Sequence, residues 1–536
     1  MAFGILESDP SLGTPPGTEL LEEVQIGSHD ASQVLIPHPS NSFHDPLNMS
    51  RVRKEFYFFA LIWGACMTGV IGPLLVPGFS IVAASFNIVL TQVTLLNGSL
   101  IMALGVSAYL CAPLSIIYGR RIVYLITTLI MIFGCVWASY ATSYGSLLGS
   151  RIFQGLGMGA FFSLAGTASI NDVFFVHERG RRAGLWNFAV IVSVNIAPVI
   201  SGYVITGLGW QWSFRLLAIG FAVTFILAFF LIPETRYDRD VMLRGIDIST
   251  QDATILKHET KPNIEETHDP LHAASPAPKS GRSESVETAP ASSKFNWRNL
   301  LSLQNITFEH PSLLLPMLMS PLALLGHPAV LWGSAMWSVT FSWVIIQGAV
   351  ADQIFRAPPY NQSPTAVGIL IGVPPLIGSA MGTILGGWLC DMVARSMSIK
   401  NSGVYEPEFR LWVLIPSLIT TGIGSYGLGI SVSLGQTIWA AAVFLGFLNF
   451  GVGMACTAII AYTNDVCQKK AAEAFGVAML VKSAFAFGLT FVLNDYYAAH
   501  GARIFFTTWA ALTTGVTLLS VPLYIYGKRM RSHFTM

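Results

Sequence analysis

The fold class that the sequence predicts is an all-helical membrane protein with twelve spans in two pseudo-symmetric six-helix bundles. Three observations predict it. Of 536 residues, 53% are hydrophobic and 11% charged, whereas a soluble domain is about a quarter charged. Twelve apolar segments are each long enough to cross ~30 Å of hydrocarbon at 1.5 Å per residue. One long polar stretch divides them six from six.

In chain order, residues 1–54 are rich in Pro, Ser, Asp and Glu and end in the basic cluster Arg51, Arg53 and Lys54. They read as a disordered cytosolic tail. No short cationic region followed by an apolar core precedes the first span, so that span is expected to act as the insertion signal. The first bundle, 55–232, holds spans at 56–79, 94–115, 122–141, 147–170, 184–207 and 212–232. A mostly disordered linker, 233–326, follows, with a low-complexity, serine-containing run at 273–294. Its last part, Phe308 to Gly326, is apolar but carries Pro311, Pro316 and Pro321, and reads as an interfacial lead-in rather than a span. The second bundle, 327–527, holds spans at 328–350, 365–389, 411–430, 437–460, 473–494 and 503–526, and 528–536 form a short tail.

Orientation follows from the basic residues. Arg120 and Arg121, then Arg179, Arg181 and Arg182, then Arg395, Lys400 and Arg410, then Lys469 and Lys470 fall in turns on one side; Lys528, Arg529 and Arg531 close the chain. The opposite turns carry little beyond Arg356, with Arg215 and Arg503 just inside helix starts. Both termini and the linker are therefore expected in the cytosol, in a multi-pass protein of the plasma membrane.

Composition also excludes. Net charge is +1, which gives no footprint for nucleic acid. The six cysteines lie singly, without CxxC spacing, and the histidines are scattered, so neither a disulfide framework nor a metal site is expected. No nucleophile–base arrangement falls in the spans, which argues against an enzyme, and no cofactor is implied. A monomer in the bilayer with a small-molecule partner is the expected state.

The charges inside the spans carry the functional signal. Arg151 lies in Gly149-Ser-Arg-Ile-Phe-Gln-Gly-Leu-Gly-Met-Gly159, where the apolar run continues to about Ile170. An intramembrane arginine costs at least ~2.5–3.5 kcal/mol and usually faces a bundle interior or a wet cavity. Gly155 and Gly159 have the spacing that lets two helix backbones approach. Lys482, followed by Phe485 and Phe487, lies well inside span eleven, so each half holds one cation. Acids avoid the midplane: Asp172, Asp465 and Glu473 fall near one set of span ends, Asp352 and Asp495 near the other. Proton coupling needs a group that changes charge as the site alternates; Asp172 is the best-placed acid, and Lys482 could titrate if desolvated. A positive interior repels polycations, because like charges ~4 Å apart cost ~4 kcal/mol at an effective dielectric of 20.

The halves echo each other. Ala112-x-x-x-Ile116-x-x-x-Arg120 after span two corresponds to Gly387-x-x-x-Asp391-x-x-x-Arg395 after span eight. Two related halves around a cavity is the plan of an alternating-access carrier. Four N-x-Ser/Thr matches occur, at Asn48, Asn97, Asn305 and Asn361; on this topology only Asn361 is a reasonable glycosylation acceptor.

Several motifs, in order and at the right span ends, resemble one family. Arg151-x-x-Gln154-Gly155-x-Gly157-x-Gly159 is similar to its fourth-span motif, and Asn195-Ile-Ala197-Pro198-Val-Ile-Ser201-Gly202 to its fifth-span antiporter motif, with Ala197 and Ser201 substituted. Gly209-Trp210-Gln-Trp212-x-Phe214-Arg215 and Pro233-Glu234-Thr235-Arg236 bracket span six. Tyr405-Glu406-Pro407-Glu408-Phe409-Arg410-Leu411, the closing Pro522-x-Tyr524-x-Tyr526-Gly527-Lys528-Arg529, and Gly4-Ile-Leu-Glu7 followed by Pro16-Gly17-Thr18 point the same way. Together they resemble the major facilitator superfamily, in its fungal twelve-span drug:proton antiporter-like group and the subgroup that includes polyamine and histidinol carriers.

The resemblance implies that spans one, four, five, seven and ten line a pathway, with Trp63, Thr68, Gln154, Asn195, Trp337, Gln347 and Asn449 as candidates. It implies a gating motif at Gly119-Arg120-Arg121, where an Asp is usual at the position of Ile116 and an Arg at that of Ile117. The counterpart Asp391, with Arg395, is retained, so the cytosolic gate is expected to lean on the second half. Pro198 and Gly202 imply export. The expected activity is efflux of a neutral or anionic metabolite, with uptake of polyamines or other amine nutrients as the alternative and a transporter-like sensor as the rival of another class.

Overall fold

The structure, a computed structural model, describes residues 4–6, 15–20, 45–166, 168–236 and 314–533. Most of the expected linker, with Asn305, and most of the N-terminal tail lie outside these residues. Apolar runs wound as helices close their backbone hydrogen bonds within each segment, which is what hydrocarbon demands. Eleven helices among the described residues are long and apolar enough to cross a membrane. The twelfth is span four, which is interrupted: Tyr144–Gly159 passes into a π-helical turn, Ala160–Leu164, and resumes as Ala168–Val173. Such π turns mark kinks inside helices. Here the kink follows three alternate glycines, and Gly166 sits against the Trp186 ring, leaving no room for a side chain.

The remaining spans of the first half are Arg51–Ile71, Leu90–Tyr118, Arg120–Ser139, Val176–Leu208 and Trp210–Leu231. Those of the second are Pro328–Phe355, Pro364–Lys400, Leu414–Ser433, Ile438–Cys467, Ala471–Thr490 and Leu493–Leu518. Span twelve begins ten residues earlier than the apolar run because Gly501, at φ 73°, joins a short preceding helix to it. A final helix, Ser520–His533, follows. The lead-in is a helix, Leu314–Ala323, whose Leu318 carbonyl accepts from the Tyr109 hydroxyl of span two.

Alternation of the spans puts both chain ends on one face, called here the terminal face. On the opposite, far face the halves are pinned together. Asp352 accepts from the Ser80 amide at 2.7 Å, Thr91 donates to Asp495 at 2.8 Å, and Asn494 donates to Thr94 at 2.9 Å. Spans five and eight touch backbone to backbone: a Cβ on Gly202 would lie 3.0 Å from the Pro364 carbonyl, and one on Gly368 would overlap that of Pro198. Span two meets span eleven through Gly98 against Thr490 and Gly105 against Ser483.

Contrary to the disorder expected up to residue 54, residues 45–54 hold the turn Pro46–Asn48 and the start of the first span, and two shorter pieces, 4–6 and 15–20, are placed against the second half. Ile5 is fully buried, the Leu6 amide donates to the Ile525 carbonyl at 2.9 Å, and β1 (Glu19–Leu20) pairs antiparallel with β2 (Val404–Tyr405). The second half supplies the backbone partners that hold both pieces.

Candidate functional site

Arg151 is fully buried, about 10 Å from the far-face start of span four, seven residues on from Tyr144. It therefore sits off the midplane and inside the first half. Its Nη1 donates to the Ile71 carbonyl at 3.2 Å and to Gln154 Oε1 at 2.9 Å, and its guanidinium lies 5.3 Å from the Phe214 ring centroid. Ile71 is the last residue of span one, where unpaired carbonyls carry the negative end of the helix dipole, so the arginine acts as a C-terminal cap. Gln154 in turn donates to the Gly134 carbonyl at 2.9 Å. Gly155 and Gly159 let span four lie on span two at Leu100–Leu104 and Ser107–Ala108.

Lys482 is different. It is 4% exposed, eleven residues into span eleven, and has no hydrogen-bonding or acidic partner among the described residues. Its Nζ lies 3.7 Å from the centroid of Phe341 and 5.3 Å from that of Trp337, both on span seven, with Cys456 of span ten beside it. Trp337 and Phe341 are four apart, hence on one helix face. Cation–π contact is worth ~2 kcal/mol or more when desolvated, short of what a lone buried ammonium costs. Trp337 also packs edge-on against Phe475 at 6.2 Å, and both line a small cavity with Gly333, Thr463 and Ala478 on the terminal-face side of the lysine. The site is an aromatic box holding an uncompensated positive charge.

The other candidates are placed as follows. Gln347 and Asn449 exchange hydrogen bonds at 3.1 and 3.0 Å, tying span seven to span ten. Asn195 donates to the Ile191 carbonyl at 2.8 Å and, across the seam between halves, to Ser379 at 3.4 Å. Thr68 donates back to the Gly64 carbonyl at 2.7 Å. The Trp63 indole nitrogen is buried without a hydrogen-bond acceptor among the described residues. Asp172 is ion-paired with Arg120.

At the terminal face, Gly119 turns at φ 87° so that Glu234 can cap span three, accepting from the Arg120 and Arg121 amides at 3.0 and 3.1 Å. A carboxylate at a helix N-terminus is favoured by dipole and free amides together. The Pro233-Glu234 motif thus braces the loop that lacks the usual Asp. In the second half, Asp391 is 81% exposed and lies 3.3 Å from Arg410, which also meets Asp465 at 2.6 Å and the Tyr405 hydroxyl at 2.8 Å. Burial pushes the Tyr405 phenol up, reinforced by Asp465, so it stays protonated and donates to that carboxylate. Phe341, Cys456 and Glu234 were not foreseen as members of these groups. Only the i, i+4 aromatic pair on span seven could have signalled the box.

The profile of the Major Facilitator Superfamily matches residues 58–490, most of the chain. The chain belongs to that superfamily. An uncharacterised MFS-type transporter of Schizosaccharomyces pombe is 26% identical, covering 98% of this chain and 94% of its own length. A probable efflux pump of Aspergillus flavus is 22% identical over 85% of this chain and 98% of its own. Among solved structures, the D-xylose-proton symporter superposes with a TM-score of 0.59 at 14% identity, over 89% of this chain and 99% of its own, a likeness of fold. The relatives fit the fungal drug-antiporter-like group expected from the motifs. This major facilitator protein is a transporter of small molecules, not an enzyme.

Proposed function

We propose that the protein exports a neutral or anionic organic metabolite by rocking its two halves, 55–232 and 327–527, about a central site at Lys482, Trp337 and Phe341. The observation that carries this reading is the unpartnered ammonium in its aromatic box: it favours a carboxylate or carbonyl-rich, partly planar solute and disfavours a polyamine. The efflux-pump relative supports the outward direction. On this reading both termini are cytosolic, the membrane is the plasma membrane, the protein works as a monomer, and the loop holding Asn361 is outside and glycosylated there. Asp172 is engaged with Arg120, so coupling to protons, where it operates, runs through Lys482. Asp391 and Arg395 serve the cytosolic gate with Arg120 and Arg121. The arrangement described has the far face closed.

The test is metabolite profiling of cells and medium with and without the gene, followed by flux in vesicles. An acidic or neutral compound that accumulates inside deletion cells and crosses vesicle membranes saturably fits the proposal. A fall in intracellular polyamine would favour the uptake alternative, and binding without flux the sensor.

Rocking makes a demand on the seam. Gly368→Leu would force the span eight backbone off Pro198, an overpacking that disfavours the far-closed state by ~1–3 kcal/mol. A cysteine introduced at Thr365 should then react with an impermeant maleimide from the far side roughly tenfold faster than in an otherwise unchanged chain. An unaltered rate would mean that the seam does not open there.

A further inference from the structure

The N-terminal motif around Gly17 plays no part in the transport site, yet it is built into the second half. Glu406, Glu408 and Arg531 are all at most 1% exposed. Arg531 Nη2 lies 2.8 Å from both carboxylates, its Nε donates to Glu408 at 3.0 Å, and Lys528 meets Glu406 at 2.8 Å. The N-terminal segment completes this cluster. Arg531 Nη1 donates to the Pro16 carbonyl, and the Thr18 hydroxyl donates to Glu406 at 2.7 Å while accepting from Arg531 at 3.3 Å. Gly17, at φ 84°, lies so close to the end of span ten that a Cβ would come 2.7 Å from the Asp465 carbonyl and 2.9 Å from Pro407. Two residues further, β1 pairs with β2 and so backs the strand that carries Tyr405.

Tyr405 holds Arg410 and Asp465 together, and Arg410 reaches Asp391 and lies beside Cys390. A continuous set of contacts thus runs from the tail to Asp391, near the terminal-face end of span eight. We propose that residues 15–20 are a latch in cis, whose docking fixes the Tyr405–Arg410–Asp465–Asp391 group and whose release loosens the terminal face of the second half. Thr18 is the switch point, because a carboxylate placed there would lose the hydroxyl's donation to the buried Glu406 and set a like charge against it. The latch would act whatever the solute or direction of transport, so it stands apart from the export reading.

Hydrogen–deuterium exchange on the full chain, combined with maleimide labelling of Cys390, tests it. Cys390 is 1% exposed in the docked state, and Cys135, buried in the first half, reports on the integrity of the bundle. The expected result is protection of the 15–20 amides in the unaltered protein. In Gly17→Val and Thr18→Glu that protection should be lost and Cys390 should react about tenfold faster, as a left-handed Cβ or a like charge weakens docking, while Cys135 stays unreactive. Two results would overturn the latch: exchange of 15–20 at the rate of an unfolded peptide in the unaltered chain, or lost protection in either variant with Cys390 no more reactive. Thr18→Glu leaves the backbone at Gly17 untouched and so decides the matter should Gly17→Val fail to assemble.

Discussion

Arg531→Met should lower the stability of the purified protein by ~3–5 kcal/mol, the usual cost of removing one partner from a buried ion group. The reason is the company it leaves behind. Glu406 and Glu408 are both fully buried; without the guanidinium Glu406 keeps Lys528 and the Thr18 hydroxyl, while Glu408 loses both of its contacts to Arg531. Neither carboxylate can reach water without dismantling the contact between the loop before span nine and the last helix. The loss comes from stranded charge rather than lost packing, because methionine fills much of the same volume. The triple variant Arg531→Met, Glu406→Gln, Glu408→Gln should therefore recover most of it. Thermal unfolding in detergent checks both variants. A triple variant no more stable than the single one would place the effect in packing and remove the electrostatic argument.

The architecture was legible because hydrocarbon leaves the chain little choice: runs near twenty apolar residues must be helices, and the counting of basic turns follows. Span four shows the limit of that reading. Its composition says membrane, but the glycines at 155, 157 and 159 and the contact of Gly166 with Trp186 bend it, and only the packed neighbours reveal the bend. Arg151 is buried, yet one of its partners is the carbonyl of Ile71, 80 residues away, and no spacing rule announces that a span-one terminus will lie beside it. The N-terminal motif was visible as a resemblance. Its partners at Glu406 and Arg531 lie hundreds of residues downstream, and composition alone argued for disorder. Local physics reads out spans and turns; which charge meets which is settled by tertiary contact.

Lys482→Met should abolish solute-dependent flux while leaving the protein as stable as before or more so. The two halves of that expectation have one cause. Among the described residues Lys482 has no acidic or hydrogen-bonding partner, only the rings of Phe341 and Trp337, so its desolvation is poorly offset. Exchanging a buried, uncompensated ion for an apolar side chain of similar length is neutral or stabilising by ~1–4 kcal/mol in comparable settings. On the proposed reading, an anionic solute bound there would reverse the balance by supplying the missing charge in a dry site. Losing that pair costs ~2–5 kcal/mol, or roughly 30- to several thousand-fold in affinity. Phe341→Ala should act more mildly, weakening binding by ~1–2 kcal/mol through the lost ring while the charge remains. Flux and thermal unfolding measured on the same preparations separate the possibilities. A carrier whose Lys482→Met variant becomes less stable but transports at the original rate uses the lysine only to hold helices together. Stability retained with transport lost is the signature of a charge kept for its ligand.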